Sequence, residues 1–84
     1  MKYCYITFRS ITYGQQGERL MQQNKIQTAL LRTPGWMEKK GCGYCLRLHS
    51  RDVERAVILL REKGVDFRRV YRKTEDGALR EVAL

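Results

Sequence analysis

An α+β fold is what this chain predicts, on three observations. Tyrosine, threonine and apolar residues alternate near the N-terminus, two later stretches carry apolar or small residues at helical spacing, and the two patterns interleave along 84 residues. Alternation puts successive side chains on opposite faces of a strand, whereas recurrence every three to four residues lines one face of a helix.

From Tyr3 to Phe8 the tyrosines and Thr7 alternate with Cys4, Ile6 and Phe8, a β-branched and aromatic mix that predicts a first strand with Cys4 in the core. Ser10 is a ready N-cap, and from there to Asn24 the residues Tyr13, Gly14, Gly17, Leu20 and Met21 fall on one stripe of a helix. Glycine costs a helix interior about 1 kcal/mol relative to alanine, so two glycines on a buried stripe point to close approach onto a sheet. Ile26 to Arg32 reads as a second strand, closed by Thr33-Pro34-Gly35, and Trp36 to Gly41 as a loop. Tyr44, Leu46 and Leu48 alternate with Cys45, Arg47 and His49 in a third strand. A second helix is expected from Ser50, its cap, to Lys63, buried through Val53, Ala56, Val57 and Leu60 and stopped by Gly64. Val65 to Arg72 makes a fourth strand, Thr74 to Gly77 a polar turn, and the apolar tail to Leu84 either extends that strand, forms a hairpin or pairs with another copy. The order βαββαβ is the ferredoxin-like split arrangement: a four-stranded antiparallel sheet with two helices on one face. The whole of residues 1–84 is expected to form one domain, with a core over about 3–72 and a C-terminal extension over 73–84.

A chain this short only just repays the entropy of folding, so an internal cofactor-sized cavity is not expected and no cofactor is called for. Its net charge of +8 draws it to anions, nucleic acid or an acidic protein surface. The 11 arginines are scattered, from Arg9 to Arg80, as on a solvated surface. No segment approaches the ~20 apolar residues of a membrane span, and the N-terminus lacks the apolar run of a signal peptide. Three cysteines, an odd number, argue for free thiols in a reducing compartment, and hence a cytoplasmic location. Turnover chemistry has no visible carrier: there is no paired carboxylate, Ser/His/Asp set or phosphate-cradling glycine loop.

The chemistry concentrates at Lys39-Lys40-Gly41-Cys42-Gly43. Flanking glycines unshield the thiol, and adjacent cations favour the thiolate over a thiol whose unperturbed pKa is ~8.5. In the expected fold the first and third strands are adjacent and antiparallel, which sets Cys42 near Arg9 and Ser10. There the amides opening the first helix favour an anion. A metal site from Cys42, Cys45 and His49 is not expected, because four residues of strand hold Cys45 and His49 ~13 Å apart. A Cys42–Cys45 disulfide meets the same objection: ~10 Å of extended chain against the less than ~7 Å that a disulfide allows.

The run Ile6-Thr7-Phe8-Arg9-Ser10, then Gly14, Glu18 and Met21, Pro34, Cys42-Gly43 and Leu46-Arg47 resembles the putative Se/S carrier protein-like family, over roughly residues 3 to 71. The resemblance implies a short bacterial or archaeal protein that carries sulfur or selenium between donor and acceptor proteins. It maps Cys42 onto the family's cysteine, Gly43 onto the glycine that follows it, and Ser10 and Glu18 onto polar positions around the first helix. The chain departs from the pattern at Gly14, where a small alanine is expected, and in its long basic loop; Cys45 has no counterpart. In this reading Cys42 is the carrier, while Lys39, Lys40, Arg9 and the amides after Ser10 stabilise its anion. The alternative is a basic module without chemistry that binds RNA or an acidic protein, or forms a homodimer through a sheet edge. Exposed tyrosines on a sheet can stack bases. Tyr3, Tyr5, Tyr44 and Tyr71 would form such a platform if they shared the open face; alternation puts Tyr3 and Tyr5 opposite the core residues but turns Tyr44 toward the helices, so the platform is incomplete.

Overall fold

A computed structural model describes residues 2–33, 43–74 and 76–82. The elements follow in the order β1 (Tyr3–Phe8), α1 (Ile11–Gln23), β2 (Thr28–Arg32), β3 (Tyr44–His49), a single 3-10 turn (Ser50–Asp52), α2 (Val53–Glu62), β4 (Val70–Lys73) and β5 (Leu79–Glu81). The α+β class holds: the strands form one open sheet in the order β2-β3-β1-β4-β5, antiparallel at every junction. The sheet has five strands where four were expected. The difference lies in the tail, which turns back at Thr74–Ala78 and pairs Leu79–Glu81 with β4. Thr74 holds that turn, its amide donating to the Ala78 carbonyl at 2.7 Å and its hydroxyl donating to the Asp76 carboxylate.

One face of the sheet is buried. Cys4, Ile6 and Phe8 of β1, Leu46 and Leu48 of β3 and Val70 of β4 pack with Leu20 and Met21 of α1 and with Val53, Ala56, Val57 and Leu60 of α2. The two glycines of α1 let it settle onto this face. A Cβ at Gly17 would lie 2.9 Å from Phe8 Cζ and 3.2 Å from Leu46 Cδ1, and one at Gly14 would lie 2.9 Å from Leu30 Cδ1. Tyr13, expected on the same stripe, is exposed instead, at the margin of the helix face.

Boundaries moved where hydrogen bonds won over alternation. β2 starts at Thr28 and not at Ile26, because the Ile26 amide donates to Met21 O at 2.9 Å and the Lys25 amide to Gln22 O at 3.2 Å. This is a Schellman cap, in which Lys25 takes the left-handed conformation at φ 60°. The end of α2 repeats the motif with a glycine: Gly64 at φ 67°, and the Val65 amide on Leu60 O at 2.9 Å. Ser50 does not cap α2. Its amide is tied to Lys2 O at 3.0 Å, it opens the 3-10 turn, and Asp52 takes the N-cap position without a side-chain hydrogen bond. The fourth strand is shorter than residues 65–72 because Arg68 and Arg69 both bond to Thr7, Arg68 through the Thr7 carbonyl at 2.7 Å and Arg69 through its hydroxyl at 3.0 Å. Two residues against one is a bulge, and it ends the regular ladder.

The contrast between the caps makes a prediction. Left-handed backbone costs a side-chain-bearing residue ~1–2 kcal/mol, and glycine's extra freedom in the unfolded chain returns ~0.4–1 kcal/mol of that. Lys25→Gly should therefore stabilise the protein by roughly 0.5–1 kcal/mol, read as a rise of several degrees in melting temperature. A fall would show that the Lys25 side chain supplies more than its backbone costs.

Candidate functional site

The ends of four elements meet at one edge of the sheet. Phe8, the last residue of β1, pairs with Tyr44, the first of β3, and Arg32, the last of β2, pairs with Tyr44 from the other side. Arg9 and Ser10 continue from β1 into α1 at this edge, and Gly43 leads into β3. Arg9 is exposed. The Ser10 hydroxyl accepts the Tyr13 amide at 3.4 Å and the Ser10 carbonyl accepts the Gly14 amide at 3.1 Å, so Ser10 is the N-cap that its sequence setting predicts. No acidic residue stands in the first turn of α1, which leaves the positive end of the helix dipole unopposed there. Gly43 is buried, and its carbonyl accepts the Thr33 amide at 2.9 Å.

Of the residues predicted to form the site, Arg9, Ser10 and Gly43 therefore share an edge; Cys42, Lys39 and Lys40 lie outside the described residues. Glu18 is half-buried further along α1. β3 is extended from Tyr44 to His49, which separates Cys45 and His49 by ~13 Å. Among the described residues no cluster of three or more histidine, cysteine or acidic side chains could hold a metal ion.

Cys4 and Cys45 are both free and buried. Cys45 pairs with Thr7 and with Leu31, on the sheet face away from the helices, yet it is buried together with Thr7 and Thr33. Burial pushes its thiol above the ordinary 9.0, with the Thr33 hydroxyl and the Arg47 charge opposing more weakly. The Thr33 contact falls short of a hydrogen bond, because Thr33 Oγ1 has no partner among the described residues. Burial also raises the Cys4 thiol, against a weaker opposing pull from Arg72. Neither is poised as a nucleophile.

These raised values carry a pH dependence. A thiol held neutral in the fold contributes stability that is complete below the unfolded thiol's pKa and is lost as pH rises through the folded value. The melting temperature should fall between neutral pH and about pH 10, and by less in a Cys4→Ala/Cys45→Ala variant. An equal fall in both proteins would show that the two thiols contribute none of it.

Sequence reasoning missed a second assembly at the opposite end of β3. Tyr3 pairs with His49, and their rings stack at 5.2 Å between centroids; the Arg47 guanidinium lies over Tyr3 at 5.0 Å. The pairing depends on antiparallel register, which alternation within each strand does not specify.

A family model described as "Putative Se/S carrier protein-like" matches residues 3–72. The chain belongs to that family. The match runs from the start of β1 into β4 and spans the edge where Arg9, Ser10 and Gly43 meet. No curated protein and no solved structure matches the chain.

Proposed function

We propose that this member of the Se/S carrier-like family carries a sulfur or selenium atom on Cys42 between a donor and an acceptor protein. Family membership over residues 3–72 is the observation that carries the reading. The edge next to Gly43 supports it, since Arg9 and the positive end of α1, with no acidic residue in its first turn, suit an anion, as do Lys39 and Lys40 in the sequence. Cys42 thiolate attacks the terminal sulfur of a donor persulfide, or the selenium of a selenenylsulfide. The donor's S–S or S–Se bond breaks, a new bond to Cys42 Sγ forms, and the donor leaves as a thiolate. The exchange has no net oxidation, so it needs no outside oxidant, and the same step in reverse loads an acceptor. The protein acts as a carrier and not as a turnover enzyme.

The fold reading that accompanies this is ferredoxin-like, with β1 to β4 in the order β2-β3-β1-β4 and β5 as an addition at the edge. Free buried thiols suit a reducing, cytoplasmic setting. No helix among the described residues is long and apolar enough to cross a membrane. A homodimer would pair along β2 or β5, the outer strands.

The test is the pH profile of alkylation at Cys42, followed by mass spectrometry after exposure to a persulfide or selenenylsulfide donor. Half-maximal reactivity below pH ~8.5, with one chalcogen added on Cys42, is the expected result. An ordinary profile and no adduct would leave the chain a binding module without chemistry.

A further inference from the structure

The sheet face away from α1 and α2 carries no helix among the described residues, and its side chains are not those of a solvated strand. Two rows cross it. In one, Tyr5 of β1 pairs with Arg47 of β3 on one side and Tyr71 of β4 on the other. In the next, Tyr3 pairs with His49, while the β1–β4 register, from Cys4 opposite Arg72, brings Lys73 alongside Tyr3. Three tyrosines, a histidine and two cations thus share one face of the central strands, and each tyrosine is half-buried. Tyr44, on the helix side, is not part of it.

Beside Tyr3 this face opens into a cleft of about 510 Å³, whose walls include Lys25, Gln27, Arg47 and His49. The cleft and the tyrosine rows are continuous through Tyr3, Arg47 and His49, and the stack of His49 on Tyr3 with Arg47 above it is already formed. Flat rings in a row suit unpaired bases, interleaved cations suit the phosphates between them, and the net charge of +8 suits a polyanion. Gln27 and His49 add polar groups that can bond a 2′-hydroxyl.

We propose that this face binds single-stranded RNA, with bases stacked on Tyr5, on Tyr71 and on His49 at the end of its stack with Tyr3, and phosphates on Arg47, Lys73 and Lys25. The surface runs from about 13 Å (Arg47) to about 20 Å (His49) along β3 from Gly43, so the binding is independent of chemistry at Cys42. RNA crosses the sheet and ends in the cleft, where one nucleotide extends the Tyr3–His49 stack.

Fluorescence anisotropy with a short, mixed-sequence, labelled single-stranded RNA tests this. Tyr5→Ala and Tyr71→Ala should each weaken binding about tenfold, the loss of one stacked base. Tyr71→Phe, which keeps the ring, should bind like the parent and shows that the alanine effect is not misfolding. Arg47→Ala should weaken binding and flatten its salt dependence by about 0.7 in the log–log slope, one phosphate contact. Lys63→Ala, at the far end of α2, should change affinity less than about twofold, and Cys42→Ser should leave it unchanged. Equal losses from Lys63→Ala and Arg47→Ala would overturn the proposal, since net charge alone would then account for binding. So would equal affinity for duplex RNA or for DNA of the same sequence, or an acidic peptide that binds this face while RNA does not.

Discussion

Phe8→Ala is expected to remove a large share of the folding free energy of this protein. Phe8 is wholly buried on β1, a strand with neighbours on both sides, and its ring lies under the helix at Gly17. Truncating a buried phenylalanine costs about 3–5 kcal/mol, partly in lost transfer energy and partly in the cavity left behind. A chain of 84 residues has roughly 4–13 kcal/mol in total, at ~0.05–0.15 kcal/mol per residue. The urea midpoint should fall by about a quarter or more, with the slope of the transition unchanged. Gly17 supplies a second, sharper reading of the same contact. Alanine there gains about 1 kcal/mol of helix propensity but meets the Phe8 ring at two atoms, and overpacking of this kind costs ~1–3 kcal/mol. Gly17→Ala should therefore destabilise the parent and be neutral or stabilising in a Phe8→Leu background. Additive effects would mean that the helix does not rest on that ring.

The same contact explains why part of the fold was legible in the sequence. Cys4, Ile6 and Phe8 alternate on a strand, Gly14 and Gly17 fall on a helical stripe, and Gly64 stops the second helix; each is a local pattern with a local cause. The edge where Arg9 and Ser10 approach Gly43 followed from one topological step, antiparallel pairing of β1 with β3. What was not legible depends on partners far along the chain. Ser50 has the chemistry of a cap, but its amide is tied to Lys2 O and the chain makes a 3-10 turn there, which moves the start of α2 to Val53. Nothing in the type of Lys25 announces a left-handed residue, since the Schellman bonds to Met21 and Gln22 impose it. β5 has three residues and no pattern of its own; it exists because β4 offers it an edge. The stack of Tyr3 on His49 needed the register as well as the topology. At the candidate site, the glycines and lysines around Cys42 single it out in the sequence, though Cys42 lies outside the described residues, whereas the burial of Cys45, three residues later, was not legible. Alternation alone set Cys45 on the face away from the helices.

That difference between the two cysteines sets up the second large effect. Cys42→Ser should abolish loading by a persulfide or selenenylsulfide donor, because a serine hydroxyl is not ionised at neutral pH and forms no bond to a sulfane sulfur. Cys45→Ser should do the reverse. Cys45 is buried beside the Thr33 hydroxyl, and serine there loses the larger apolar sulfur and adds a second hydroxyl to desolvate, of which one bond to Thr33 recovers only part, a net cost of about 1 kcal/mol. The expected pattern is crossed: loading lost with the melting temperature kept for Cys42→Ser, and loading kept with the melting temperature lowered for Cys45→Ser. Charge at the edge provides the graded control. Arg9→Glu replaces an exposed cation with an anion beside the N-terminus of α1, so the alkylation profile of Cys42 should move to higher pH while the adduct still forms. If Cys42→Ser retains the added chalcogen and Cys45→Ser loses it, the buried thiol is the carrier and the edge at Arg9 has no part in the chemistry. If neither variant changes loading, the adduct sits on Cys4 or on no cysteine, and the carrier reading of this chain fails.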